Sequence, residues 1–126
     1  KSLQQRYFPD RLDLLDYQLC WSKQVQTRCL ASCSTEKRRI LVANAFRDFD
    51  TGDFLEPLLY HEMCHAVLGK PRVGKKGRRI LHGREFKELE KRHPKIPALD
   101  AWIEEGGWSK LVRKAKRRKK VLGQIR

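Results

Sequence analysis

The chain has 126 residues, 40% of them apolar, and carries 29 Lys and Arg against 15 Asp and Glu, a net charge of +14. That length fits one compact domain, and the apolar content is enough for a modest core. No run approaches the apolar length of a membrane span and none reads as a signal peptide. Cys20, Cys29, Cys33 and Cys64 form no secreted disulfide framework, so a reducing cytoplasm is expected.

A short helix is expected near Leu3–Phe8, then an irregular link over Pro9–Asp16. Tyr17–Ser22, Arg28–Ser34 and Arg38–Ala43 read as three strands. Cys29 and Cys33 share parity on the second of these and, with Cys20, can make a thiolate metal site. Buried free cysteines acting as small hydrophobes are the commoner case.

The next element is the most informative. Asp53 reads as a helix cap, Glu56 as an acidic first turn and Pro57 as an early-turn proline. Leu58, Leu59, Met63, Ala66 and Val67 then recur at helical spacing, and Gly69 with Pro71 stops the helix. Within it lies His61-Glu62-Met63-Cys64-His65. Positions i and i+4 of a helix share a face, so both imidazoles reach one ion, with Glu62 beside an open coordination position. Zn²⁺ is the usual metal for such a pair, and general base toward a water is the usual role of the glutamate. The bland alternative is a core helix whose histidines bond backbone carbonyls. Burying two imidazoles and a carboxylate on an otherwise apolar helix without compensation is costly.

A catalytic zinc site takes a third protein ligand. His82 opens a second expected helix, His82–Arg92, with Phe86 and Leu89 on one face. His93 precedes Pro94 at a polar helix end, where capping is the commoner role. Glu85, Glu88, Glu104 and Glu105 are competing ligands, and spacing favours His82.

The charge is unevenly placed. Residues 1–69 hold nine Lys/Arg and nine Asp/Glu, whereas residues 70–126 hold twenty and six. One basic run fills the Gly/Lys/Arg loop 69–79, which reads as mobile, and includes Lys75, Lys76, Arg78 and Arg79. A helix over Ala98–Glu104 and a break at Gly106-Gly107 precede a second run, with Lys114, Arg117, Arg118, Lys119 and Lys120. The expected division is therefore a domain over 1–106 and a basic tail over 107–126. Trp108, Leu111, Val112 and Ala115 are spaced so that the first turns of the tail can dock. Such asymmetry points to a polyanion, most economically nucleic acid held through its backbone, and the alternative is a solubilising surface.

Tyr60-His61-Glu62-Met63-Cys64-His65-Ala66, with His82, Gly83 and Phe86 downstream in HGxxF spacing, resembles the SprT-like metalloprotease family (Spartan in eukaryotes). Trp21-Ser22-Lys23, Thr27-Arg28-Cys29-Leu30-Ala31 and Arg39-Ile40-Leu41-Val42 resemble the strand pair ahead of that family's catalytic helix, and the likeness covers roughly residues 5–105. The resemblance implies an α+β, zincin-like minimal metalloprotease domain. A small antiparallel sheet of about three strands would pack on the HExxH helix and on a second ligand-bearing helix. It implies His61, His65 and His82 as zinc ligands and Glu62 as base. It also implies cleavage of proteins crosslinked to DNA, with DNA, single-stranded or contacted through its backbone, recruiting and activating the enzyme. The location would then be the nucleoid in a bacterium or the nucleus in a eukaryote. None of the cysteines is in CxxC spacing and none follows Cys64, so the zinc ribbon that many relatives carry is not in this stretch.

Substrate is expected to lie extended along an exposed strand edge, with the 38–43 strand as that edge and Trp21 and Arg39 as contacts. Two other readings stay open: a non-catalytic DNA-binding protein with a structural zinc, and a general small metallopeptidase unrelated to DNA.

Overall fold

The computed structural model describes residues 2–69, 72–73, 79–80 and 82–125. Lys75, Lys76 and Arg78 lie outside the described residues. For Arg79 only the backbone is described, in a two-residue strand.

The chain is mixed α and β. Helix α1 (Ser2–Tyr7) leads into a link that is partly ordered, because Leu12–Asp16 form a 3-10 turn that buries Leu14. Strands β1 (Gln18–Trp21), β2 (Ala31–Ser34) and β3 (Arg39–Val42) form one sheet in the order β1-β3-β2. The sheet is not antiparallel throughout. β2 and β3 are an antiparallel hairpin, while β1 runs parallel to β3, with Gln18 opposite Arg39 and Trp21 opposite Val42. The cause is β3 itself. It is the most apolar strand and buries Ile40 and Val42, so it takes the centre and draws the two half-exposed strands to its sides. The segment between β1 and β2 is long enough to carry the chain across, which a two-residue hairpin is not. The expected substrate edge at 38–43 is therefore wrong: β3 is paired on both sides.

After the short helix α2 (Ala45–Asp48), a 3-10 turn over Gly52–Phe54 runs into helix α3 (Leu55–Leu68). Asp53 does not cap α3 with its side chain; it pairs with Lys95 Nζ at 3.3 Å. Gly69 ends the helix at φ 73°, ψ −140°, a conformation open essentially only to glycine. The basic loop contains a small hairpin, β4 (Arg72–Val73) with β5 (Arg79–Ile80). Helices α4 (Arg84–Glu90), α5 (Ile96–Glu104) and α6 (Gly107–Ile125) complete the fold. Among the described residues no helix is long and apolar enough to cross a membrane.

Two apolar clusters flank α3. One joins α1, α3 and α4 through Phe8, Leu14, Tyr60, Cys64 and Phe86. The other joins the sheet, α2, α5 and α6 through Ile40, Val42, Phe46, Leu58, Leu99, Trp108, Leu111, Val112 and Ala115. The first turns of α6 are thus core. The corner before it is built from Gly106 at φ 88° and from Gly107, where a Cβ would fall 2.1 Å from the Trp102 indole. Trp108 stacks on Phe46 with ring centres 5.8 Å apart and planes 7° from parallel. We expect Trp108→Ala to lower stability by about 3–5 kcal/mol, as large aromatic truncations in cores do. Urea unfolding checks this, and a change below about 1 kcal/mol would mean α6 is not part of the core.

Candidate metal centre and active-site cleft

Leu58, His61, Glu62 and His65 are related by three- and four-residue steps along α3, so one stripe of that helix, with Gly69 just past its end, faces a cleft of about 510 Å³. Cys29 to Cys33 and Thr35 form the facing wall, and Leu99, Asp100 and Ile103 of α5 close one side. His82 enters from the segment just before α4, which begins at Arg84, two residues later than the expected start at His82.

The three imidazoles converge. His61, His65 and His82 each offer a ring nitrogen, and these lie within 4.8 Å of one another; this is the group among the described residues that can hold a metal. Nε2 of His65 and Nε2 of His82 are 3.1 Å apart. Zn–N bonds of about 2.0–2.1 Å at tetrahedral angles place two ligand nitrogens about 3.3–3.4 Å apart, so the donor set fits the ion. Burial, together with His61 and His82, pulls His65 down to about 4, and burial and His61 also lower His82. Neutral imidazole is the form that binds a metal.

Two features hold the rings. Phe86, 2% exposed, lies under all three, with ring centres 5.0 Å from His61, 4.5 Å from His65 and 4.8 Å from His82. That is the physical use of the aromatic in HGxxF. Nδ1 of His61 is hydrogen-bonded to the Glu90 carboxylate, which leaves Nε2 as the free donor atom. Glu90 is absent from the glutamates that spacing singles out. It lies 29 residues from His61, and no local pattern marks it. We expect Glu90→Ala to weaken zinc binding about 10–100-fold, as loss of such supporting partners does. Chelator competition reads this directly, and unchanged affinity would remove Glu90 from the site.

Glu62 is 3% exposed although it lines the cleft. Burial pushes it up to about 7, partly opposed by His61. A carboxyl at that value exchanges protons near neutrality. Cys33 faces it, and burial together with Glu62 pushes this thiol up to about 11, so it is protonated and unreactive at neutral pH. Of the other cysteines Cys64 is buried and Cys29 is exposed.

The remaining candidates lie elsewhere. His93 is 1% exposed, bonds Glu56 Oε1 at 3.1 Å, and accepts the Lys95 backbone N–H at 3.1 Å. It ties α3 to the start of α5. Glu88 pairs with Arg84 at 3.4 Å. Tyr60 points away from the cleft, its hydroxyl donating to the Leu89 carbonyl at 2.6 Å. Trp21 packs against the larger core cluster, and Arg39 is exposed at the start of the central strand. Neither is among the residues that line the cleft.

The SprT-like family model matches residues 1–100. The chain belongs to the SprT-like family. This is a metallopeptidase-type domain family, in keeping with a histidine group able to hold a metal. No curated protein and no solved structure matches the chain significantly.

Proposed function

We propose that this SprT-like domain is a zinc-dependent endopeptidase that cuts proteins bound or crosslinked to DNA. The observation that carries the reading is the convergence of His61, His65 and His82 beside buried Glu62 in a cleft open to a strand edge. His61, His65 and His82 would hold the ion and Glu62 would be the base. Zinc supplies Lewis acidity, which acidifies a water and polarises a carbonyl.

The chain's own groups do the rest. Among the described residues β2 pairs only with β3, and its neighbourhood from Cys29 to Cys33 walls the cleft. Its free edge, in place of the 38–43 strand, would receive an extended substrate by backbone pairing. Glu62 would take a proton from the attacking water and return it to the leaving nitrogen as the C–N bond breaks. Leu58, Leu99 and Ile103 would strip water from the substrate backbone.

Two observations support a DNA-bound substrate. Residues 70–126 hold twenty Lys/Arg against six Asp/Glu. In a chain so basic, none of the described residues lining the cleft is Lys or Arg, and two, Glu62 and Asp100, are acids. A lining without Lys or Arg among its described residues sets no cationic side chain against the basic segments by which proteins hold DNA.

The test is cleavage of a DNA-binding protein by the zinc-loaded chain, with and without single-stranded DNA. Cleavage that rises with DNA is expected. Cleavage indifferent to DNA, with no salt-dependent DNA binding, would favour a general metallopeptidase. No cleavage while zinc and DNA are both bound would favour the non-catalytic module.

A further inference from the structure

A second cleft, of about 560 Å³, is separate in its lining from the metal centre. Its walls come from three places: Lys23, Gln24 and Val25 after β1, Asn44, Arg47, Asp48 and Phe49 around α2, and Ala115, Arg118 and Lys119 of α6. Four of these residues are cations, Lys23, Arg47, Arg118 and Lys119, and Asp48 is an acid. Arg47 pairs with Asp48 at 2.9 Å and largely cancels it, which leaves Lys23, Arg118 and Lys119 uncompensated.

The geometry of α6 explains why these cations meet. Its buried stripe runs Trp108, Leu111, Val112, Ala115. Three and four residues on, the same stripe would carry apolar side chains if the core continued. It carries Arg118 and Lys119 instead. They are turned toward the body of the protein and overhang the cleft, whereas Lys114 and Arg117 are not among its lining residues. Arg118 is held there: its guanidinium lies 5.7 Å from the centre of the Phe49 ring, and it donates to the Asp48 carbonyl at 3.4 Å. The cleft is also braced. Ser22, 4% exposed, accepts the Asn44 backbone N–H and donates to the Gln24 carbonyl, both at 2.9 Å, fixing the Lys23 segment to α2.

We infer that this cleft, walled by Lys23, Arg118 and Lys119 with the Phe49 ring beneath Arg118, seats the phosphodiester backbone of a nucleic-acid strand. The inference rests on the DNA reading above and gives that reading an address. A groove that gathers cations from separate elements matches the phosphate-neutralising part of the way single strands are held, and the Phe49 ring serves to position Arg118 within it. The segment that supplies Lys23 to Val25 continues to Cys29 and Leu30, which wall the metal-centre cleft, so one stretch of chain contributes to both grooves.

The test compares two pairs of charge reversals in the full chain, both on exposed side chains. Lys23→Glu with Arg118→Glu alters the cleft, and Lys114→Glu with Arg117→Glu makes the same change of net charge on α6 outside it. Binding of a fluorescent single-stranded oligonucleotide is followed by anisotropy over a salt series, with circular dichroism to confirm folding. Lys23→Gln with Arg118→Gln serves if the reversals perturb the fold. The cleft pair should lose about tenfold or more in affinity, and its salt slope should fall by about 1–2, since each phosphate contact to a single strand contributes about 0.7. The outer pair should lose only about two- to threefold. Equal losses would overturn the inference and return the binding to diffuse charge. Displacement of the oligonucleotide by low-millimolar inorganic phosphate would also overturn it, as a small-anion site. A wild-type chain that binds no oligonucleotide would instead sink the DNA reading itself.

Discussion

Glu62→Gln should reduce peptide cleavage by a factor of about 10²–10⁴, the range general bases contribute, with zinc content and fold retained. The side chain is 3% exposed and the substitution is nearly isosteric, so packing is preserved. In the metal-free chain the change should also show in stability, with a definite sign. Burial raises the folded carboxyl from 4.5 to about 7. Between those values the folded state holds a proton that the unfolded state has released. Wild type therefore loses stability relative to Glu62→Gln as pH rises through that window, and the difference persists above it. Melting curves at pH 4 and pH 8 check this: Glu62→Gln should melt higher than wild type at pH 8, with the gap closing at pH 4. A Glu62→Gln chain that cleaves as well as wild type would end the base assignment.

The second large effect is at the metal. His82→Ala should weaken zinc binding by about 10²–10⁴-fold, the share of one ligand in a site whose total binding energy is about 10–16 kcal/mol with a full set. His82 is exposed and belongs to no helix, so the metal-free chain should melt nearly as wild type does. The zinc-dependent rise in melting temperature should shrink in step with affinity. His93→Ala is the informative comparison. His93 is 1% exposed and bonded to Glu56 and to the Lys95 backbone, so its loss should lower stability while leaving zinc affinity intact. Elemental analysis and chelator competition separate the two. A chain that loses zinc with His93→Ala and keeps it with His82→Ala would reverse the ligand assignment.

Both effects concern residues legible in the sequence, because their signal is local. His61 and His65 sit about one helical turn apart with Glu62 next to His61, and a 3.6-residue period projects the pair together whatever the rest of the chain does. The apolar spacing of Trp108, Leu111, Val112 and Ala115 likewise announces a docking face. His82 was legible through its motif, and the family match over residues 1–100 agrees with that reading.

What the sequence left open depends on contacts between distant segments. Strand order is one case: three short strands do not say which takes the centre until Ile40 and Val42 are buried between their neighbours. That decision makes β2, which among the described residues pairs only with β3, the strand edge beside the histidine group in place of β3. Glu90 reaches His61 only because α4 packs on α3, with the Tyr60 hydroxyl on the Leu89 carbonyl pinning the two helices. Lys23 and Arg47 are lone cations in the formally neutral half of the chain, and the fold alone sets them beside Arg118 and Lys119. The sequence by itself determined the chemistry, a histidine pair with its glutamate and a surplus of positive charge, because periodicity and composition are local properties. Only the tertiary structure decided which edge faces the metal centre, what orients its ligands and where the charge is gathered, because each depends on residues that meet across the core.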